Sequence, residues 1–559
     1  LEVFNVASKI KLNVEGKGEI LVQKGMILKD VAKLVFEEDY KKYLGAKINN
    51  EVFNLSKAVE DSTDISFLDI RDVDGYRIYT KTISAVFIIA CGELFPERTV
   101  RIEHFLGEGL YATFEKGYSI TFREVEKIQE KMEKIVERDF PIIREKMPKD
   151  NAIELFKKHN YYDKIRLFNT LDREEIDVYS IGGHIDTYHG FLAPSTGYVD
   201  IFKLKYYYPG VLIMFPSMNS NYQLPAFREL KKLSKVFKEA NDWGDILDLA
   251  YVGSLNEKII DGGIAEVIRI SEAFHEKKIA NIADKICEDE DIHLILIAGP
   301  SSSGKTTFSK RLAVQLKVNG KRPISISVDD YFVDREKTPI NEDGTYDFEA
   351  IDAIDLERLN KDLVSLLEGK EVELPKFNFI TGKSERSGKI VKVDKDHPII
   401  VEGIHSLNPK MTSYIPEKNK YKIYISALTQ LNIDAHNRIP TTDTRLIRRI
   451  VRDIKYRGND ATRTLEMWAG VRKGEEKNIF PFQEEADIMF DSALVYELAV
   501  LKKHIKPLLE EIDSSSIYYG EAKKLLKFLE YFKDIDDEGI IPPNSILREF
   551  IGKTYFDIH

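Results

Sequence analysis

The stretch with the strongest chemical content runs from Gly299 through Pro300, Ser301, Ser302, Ser303, Gly304, Lys305 and Thr306 to Thr307. Two glycines five apart, then Lys and Thr, let the backbone wrap so that successive N–H groups face phosphate oxygens. Lys305 supplies a point charge between the terminal phosphates, and the Thr306 hydroxyl is suited to ligate Mg²⁺. The context agrees. An apolar strand (292–298) precedes the motif, and Phe308, Leu312 and Leu316 recur at spacing four after it, so a helix N-terminus points at the bound anion.

Two more strand ends carry acids. The run Ile324 to Val328 ends at Asp329 and Asp330, where an acceptor substrate should lie, and a carboxylate there can take a hydroxyl proton or hold a metal. A turn-capping aspartate is the plain structural alternative. The run ending at Val401 is followed by Glu402, an acid placed to ligate a metal directly or through water. Arginines then cluster at 445, 448, 449, 452 and 457, beside Asp443 and Asp453, with Arg463 and Arg472 beyond. Several share one helical face, with no matching set of glutamates on it, which predicts a lid that closes on phosphate.

Elements must position these groups. From about residue 289 short apolar runs (294–298, 324–328, 399–401, 423–425) alternate with helical spacing. That predicts a parallel sheet with crossover helices. Upstream, 9–14 and 19–22 read as strands, 27–36 as a helix, 65–70 as a strand, 83–94 and 122–138 as helices, and 178–181 and 199–204 as strands. Residues 225–239 and 263–285 have helical spacing in a connector, and the tail reads as helical to a last short helix after Pro542 and Pro543.

The chain of 559 residues has 43% apolar and 31% charged residues, ample for several cores and unlike a disordered chain. With Lys+Arg 82 and Asp+Glu 93 the net charge is −11, which disfavours a general nucleic-acid coat. Two cysteines exclude a disulfide scaffold and suit a reducing cytoplasm. The apolar runs are too short to span a membrane, and no secretory leader pattern opens the sequence.

Together, the Gly299–Thr307 motif, Asp329 with Tyr331 and Phe332, Tyr346–Glu349, Pro375–Phe379, Val401–Gly403, Asp443–Leu446 with Arg448, Arg449, Arg452 and Asp453, and Ala486 with Asp487 stand in the order seen in uridine kinases. Residues of about 290–495 resemble the uridine kinase and phosphoribulokinase family. The resemblance implies a P-loop α/β fold and transfer of the γ-phosphate of ATP, as its Mg²⁺ complex, to a hydroxyl, most naturally the 5′-hydroxyl of a nucleoside. By position it implies that Gly299, Ser301, Ser302, Ser303, Gly304, Lys305, Thr306 and Thr307 hold the nucleotide. Asp329 would be the base, with Lys305 and Arg448 catalytic. Thr306, Asp329 and Glu402 would surround the metal, and Asp330, Glu349, Phe377 and Arg445 would line the acceptor and phosphates. The chain departs from the family at Glu349-Ala350-Ile351, where Asp-His-Pro is usual. It departs again at Phe377-Asn378-Phe379 and Gly382, where an aromatic-Asp-Phe and a base-contacting His are usual. Base recognition is therefore expected to be altered.

The front half resembles threonyl-tRNA synthetases. Residues 1–70 look like their ubiquitin-like first module. Residues 71–215 look like the editing domain that follows, through Phe140–Arg144, Ala152–Phe156 and Ala193–Gly197. Where that family has two histidines four apart, and then a cysteine and a histidine, this chain has Lys81, Ala85, Tyr188 and Leu192. A non-editing front half is expected, with His104, His184 and His189 as weak candidates for any new chemistry. The expected order is thus 1–70, 71–215, a helical connector 216–288, a kinase domain 289–495 and a helical extension 496–559. A small-molecule acceptor is favoured over nucleic acid as partner, and a homo-oligomer is compatible. The rival functions are a nucleotide-gated RNA-binding regulator and a kinase for a polyol or sugar phosphate.

Overall fold

The computed structural model describes residues 9–557 apart from 341–343, 345, 379–380 and 395–396. Phe379, the last residue of the expected Pro375–Phe379 motif, lies outside the described residues.

A five-stranded parallel sheet carries the site. From edge to edge its strands are Ile324–Ser327, Ile399–Glu402, Leu294–Ala298, Lys420–Ser426 and Ile488–Asp491. The central strand is buried along its whole length, as a strand covered on both faces must be. Alternation sorts its residues. Ile295 and Ile297 join Phe308, Leu312 and Leu316 of the helix Lys305–Val318 in one core. Leu294, Leu296 and Ala298 join Leu359, Leu363 and Leu366 of the helix Leu356–Leu367 in another. Parallel register brings the carboxyl ends of the strands together at one edge, so the loops after them share a crevice.

In the parallel-sheet domain the four-residue edge strand Ile488–Asp491 and an antiparallel hairpin, Val372–Asn378 with Lys383–Val391, were not foreseen. Both are too short or too polar to give a clear apolar period.

The front half begins with a mixed sheet in which Lys9–Val14 pairs antiparallel with Gly18–Gln23 and parallel with Thr63–Leu68. The helix Leu28–Phe36 packs on it through Leu28, Val31 and Ala32. Next come the helix Val73–Leu94, a four-stranded sheet (203–207, 210–214, 109–114, 100–106) and a three-stranded sheet (184–186, 175–181, 142–148). The helix starts ten residues before the expected Ile83, and the expected strand from Val199 begins only at Lys203, after the helical turn Thr196–Tyr198. In the connector the helix expected from Pro225 to Glu239 runs from Lys231 to Ile246. Its buried positions, Leu233, Val236, Phe237, Ala240 and Gly244, continue the apolar period past Glu239. Ile264–Glu288 is the long helix expected nearby.

The halves are joined through the loop 427–440, between the strand Lys420–Ser426 and the helix Thr441–Tyr456. Ala435 accepts from the Ile102 amide at 2.8 Å, and its own amide donates to Asp163 at 2.8 Å. Lys164, wholly buried, donates to Asp434 at 2.8 Å and lies 3.1 Å from Asp186. His436 Nδ1 sits 2.6 Å from Asp186, and Asn437 receives the His189 amide at 2.9 Å. Among the described residues no helix is long and apolar enough to cross a membrane.

Candidate active site at the phosphate cradle

The loop from Gly299 to Gly304 is shaped by contacts only certain residues permit. A Cβ at Gly299 would lie 2.0 Å from the Ile425 carbonyl oxygen, so the neighbouring strand requires glycine there. Gly304 sits at φ +83°, left-handed backbone that glycine adopts without strain, and Ser302 is held at φ +60°. Lys305 opens the helix, and its ammonium donates to the Pro300 carbonyl at 3.2 Å.

Lys305, Thr306, Asp329, Glu402 and Glu349 gather around the loop. Thr306 Oγ1 donates to Glu402 at 3.4 Å. The glutamates and Lys305 are partly exposed and Asp329 is open to solvent, yet protein closes around each, as in the walls of a cleft. Crowding by protein lowers the Lys305 ammonium, against the pull of Glu402, Asp329 and Glu549. It raises Asp329, against Lys305, Arg457 and Arg452. Glu402 is pushed up to about 7, first by burial and then by Asp329 and Glu549, with Lys305 opposing. Asp330 is raised by burial, while the Phe377 backbone donates to it. Phe377 packs its ring 5.5 Å from Phe332. Among the described residues no cluster of three His, Cys, Asp or Glu could hold a metal. The local set of one hydroxyl and two carboxylates is a hard-oxygen set that fits Mg²⁺, an ion that keeps several waters of its own.

Glu349 belongs to the acceptor side. The helix Ala461–Asn478 passes so close that a Cβ at Gly474 would meet Glu349 Cβ at 2.6 Å, and Asn478 donates to the Glu349 carbonyl at 2.7 Å. Burial, then the Glu475 charge, pushes Glu349 up to about 7, with Arg449 opposing. An acid whose pKa is higher folded than unfolded holds more protons in the folded state between the two values, so stability falls as pH rises through that window. The nucleotide-free protein is expected to melt at progressively lower temperature from pH 4.5 to about 7. Glu349→Gln should flatten part of that slope in melts across this range; an unchanged slope would remove Glu349 from the account.

The arginine cluster differs from expectation. The expected absence of acidic partners is corrected: Arg445 is paired with Glu475, donating to its second oxygen at 2.6 Å, and Arg448 is paired with Glu497. Both guanidiniums are buried and turned to the carbonyl side of the loop. Arg445 donates to the Ser301 carbonyl and Arg448 to the Ser302 carbonyl, each at 3.3 Å, and Arg448 also to the Ser492 carbonyl at 2.9 Å. Arg449 donates to the Ser301 hydroxyl at 2.6 Å, and Arg452 to Asp453 at 2.7 Å. Glu475 also accepts from the Ser301 amide at 3.1 Å. Glu475, Glu497 and Glu549 are the site-shaping residues that sequence reasoning missed, and a family pattern offers no signal for them.

The front half holds no comparable constellation among the described residues. Lys81 donates to the His189 carbonyl, with its ammonium pushed down to about 7 by burial and by Arg77 and Lys524. Ala85, Tyr188 and Leu192 are core residues. His104 stacks on Phe237, His184 lies 3.3 Å from Glu93, and His189 packs against Phe528 and Tyr531, so the three histidines are engaged separately.

Comparisons with known proteins find different relatives for the two regions. The N-terminal region matches threonine–tRNA ligases: 30% identity over 196 residues with that of Clostridium tetani and 33% over 200 residues with that of Aquifex aeolicus, each covering 35% of this chain and 31% of the relative. The chain thus spans under a third of the length of these relatives. Among solved structures, a possible uridine kinase from Bacillus stearothermophilus is 19% identical, covering 38% of this chain and all of that chain at TM-score 0.26. A D-glycerate 3-kinase from Cryptococcus neoformans is 12% identical, covering 45% and 87% at TM-score 0.22. The model of the phosphoribulokinase / uridine kinase family matches residues 294–499, the stretch that contains the cradle, the acidic strand ends and the arginine helix.

Proposed function

We propose that the protein is an ATP-dependent small-molecule kinase that transfers the γ-phosphate to a hydroxyl, with the 5′-hydroxyl of a nucleoside as the first candidate acceptor. The observation that supports it most is the meeting of Lys305, Thr306, Asp329 and Glu402 at the carboxyl edge of the parallel sheet, beside the loop. In this reading the loop amides hold the nucleotide phosphates. Lys305 swings from the Pro300 carbonyl to the terminal phosphates, and Asp329 accepts or orients the acceptor proton. Thr306, Asp329 and Glu402 would hold Mg²⁺, which supplies charge neutralisation on the phosphates when bound. Arg445 and Arg448 act through the loop they brace. Asp330, Glu349 and Phe377 form the acceptor wall, and the departures from the uridine kinase pattern at Glu349-Ala350-Ile351, at Phe377-Asn378-Phe379 and at Gly382 leave a polyol or sugar phosphate as the second candidate.

The test is ADP release from Mg-ATP against nucleosides, sugars, polyols and sugar phosphates. One nucleoside should give a clear signal, and Asp329→Asn should lower it about 10²-fold. Signal with a polyol alone would discard the nucleoside and keep the chemistry. Silence throughout, with steeply salt-dependent RNA binding, would replace the kinase reading by that of a nucleotide-gated RNA-binding regulator, which the synthetase-like front half supports.

A further inference from the structure

The helix that starts at Lys305 has no side-chain cap, because its N-cap is Gly304. Its first-turn amides therefore need acceptors from elsewhere. For Thr307 that acceptor is Glu549. Both its amide and its hydroxyl donate to one oxygen of Glu549, at 3.3 and 2.7 Å, from 242 residues downstream. Thr307 is wholly buried and Glu549 nearly so. The segment that delivers Glu549 is firmly seated. Arg548 donates to the carbonyls of Glu538 at 2.6 Å and Ile541 at 2.8 Å, and Lys455 to that of Ile551 at 2.9 Å. Phe550 lies under the Arg448 guanidinium at 5.0 Å, and Ile546 blocks the space a side chain at Gly304 would need. The Glu549 charge is also felt by Lys305 and Glu402, the groups that flank the phosphate position.

We propose that Glu549 is a resident anion in the phosphate cradle: the C-terminal segment 541–552 occupies Thr307 donors that a nucleotide phosphate requires, and nucleotide binding displaces it. This rests on the nucleotide-binding reading of the loop. A carboxylate and a phosphate oxygen are the same kind of ligand for a helix N-terminus, negative and acceptor-only. One amide and one hydroxyl cannot serve both at full strength, and the two anions repel at that range. The cradle is thereby kept formed and neutralised while empty. Departure of Glu549 frees a segment that braces Arg448 and Lys455 on the arginine helix, so occupancy of the loop is transmitted to that helix.

The test pairs calorimetric titration of ADP and a non-hydrolysable ATP analogue with hydrogen exchange on the wild-type full chain. Glu549→Gln and Glu549→Ala should bind nucleotide about tenfold tighter than wild type, and exchange within 541–552 should rise when nucleotide is added to the wild type. Unchanged or weaker binding by both variants, with 541–552 more protected in the complex, would show a structural cap and overturn the proposal while leaving nucleotide binding intact. A wild type that binds neither nucleotide would overturn the cradle reading and this inference with it. The exchange measurement needs no variant, so it decides the matter even if neither substituted chain folds.

Discussion

Lys305→Ala is expected to lower phosphoryl transfer by about 10³-fold or more, with the fold unchanged. The charge that spreads over the transferring phosphoryl group needs fixed cations, and the geometry singles out Lys305 for that role. Arg445 and Arg448 are already committed to Glu475 and Glu497 and face the loop carbonyls. Lys305 is partly exposed at the first position of its helix and rests on a backbone carbonyl, an arrangement easily exchanged for phosphate. Its removal leaves Glu402 and Asp329 to repel an incoming nucleotide, so affinity should fall along with turnover. The checks are turnover with the best acceptor, or nucleotide hydrolysis without one, beside near-ultraviolet circular dichroism. Retention of a tenth of the activity would assign the charge stabilisation to Arg449, Arg452 or Arg457 instead.

The second large effect is expected far from the cradle. Lys164→Met should destabilise the protein by about 3–5 kcal/mol, because it removes the cation from a buried cluster and leaves the acids behind. Burial alone would drive Lys164 toward neutrality, yet the charges of Asp186, Asp434 and Asp163 outweigh it and hold the ammonium firmly protonated. Without it, Asp186 keeps the His436 ring and the Thr187 amide as partners, and Asp434 faces Asp186 across the gap with no ammonium between them. Urea unfolding should show the loss, and adding Asp434→Asn to Lys164→Met should recover part of it. Strict additivity of the two changes would mean that the residues are not energetically coupled.

What the sequence discloses of this site is what lies close together in it. The loop and its helix are contiguous, so the glycines, Lys305 and Thr306 announce themselves. Asp329 and Glu402 are legible because parallel strands of known polarity must end side by side. The arginine helix is visible as a pattern, but its meaning is not. Whether a guanidinium faces phosphate or a carboxylate depends on Glu475, one helix later, and Glu497, beyond the edge strand. Glu549 is harder still, for it lies in the four-residue helix Arg548–Ile551 with no period of its own. In the front half, the small ubiquitin-like sheet is readable from turns at Gly16 and Gly18, whereas the start of the helix Val73–Leu94 is hidden by polar residues on its first turns.

The loop 427–440 carries one more implication, for ancestry. Asn432, Asp434, His436 and Asn437 spend their side chains or backbone on the front half, within the connection that delivers the arginine helix. Two genes joined end to end would share a linker. Here the contact is made from inside the parallel-sheet domain, so a fragment cut out at residue 289 would carry an acidic, histidine-bearing loop with nothing to receive it. A free-standing cousin of this domain should therefore differ most at this one loop, shortened or stripped of those four residues, while keeping the strand before it and the helix after it.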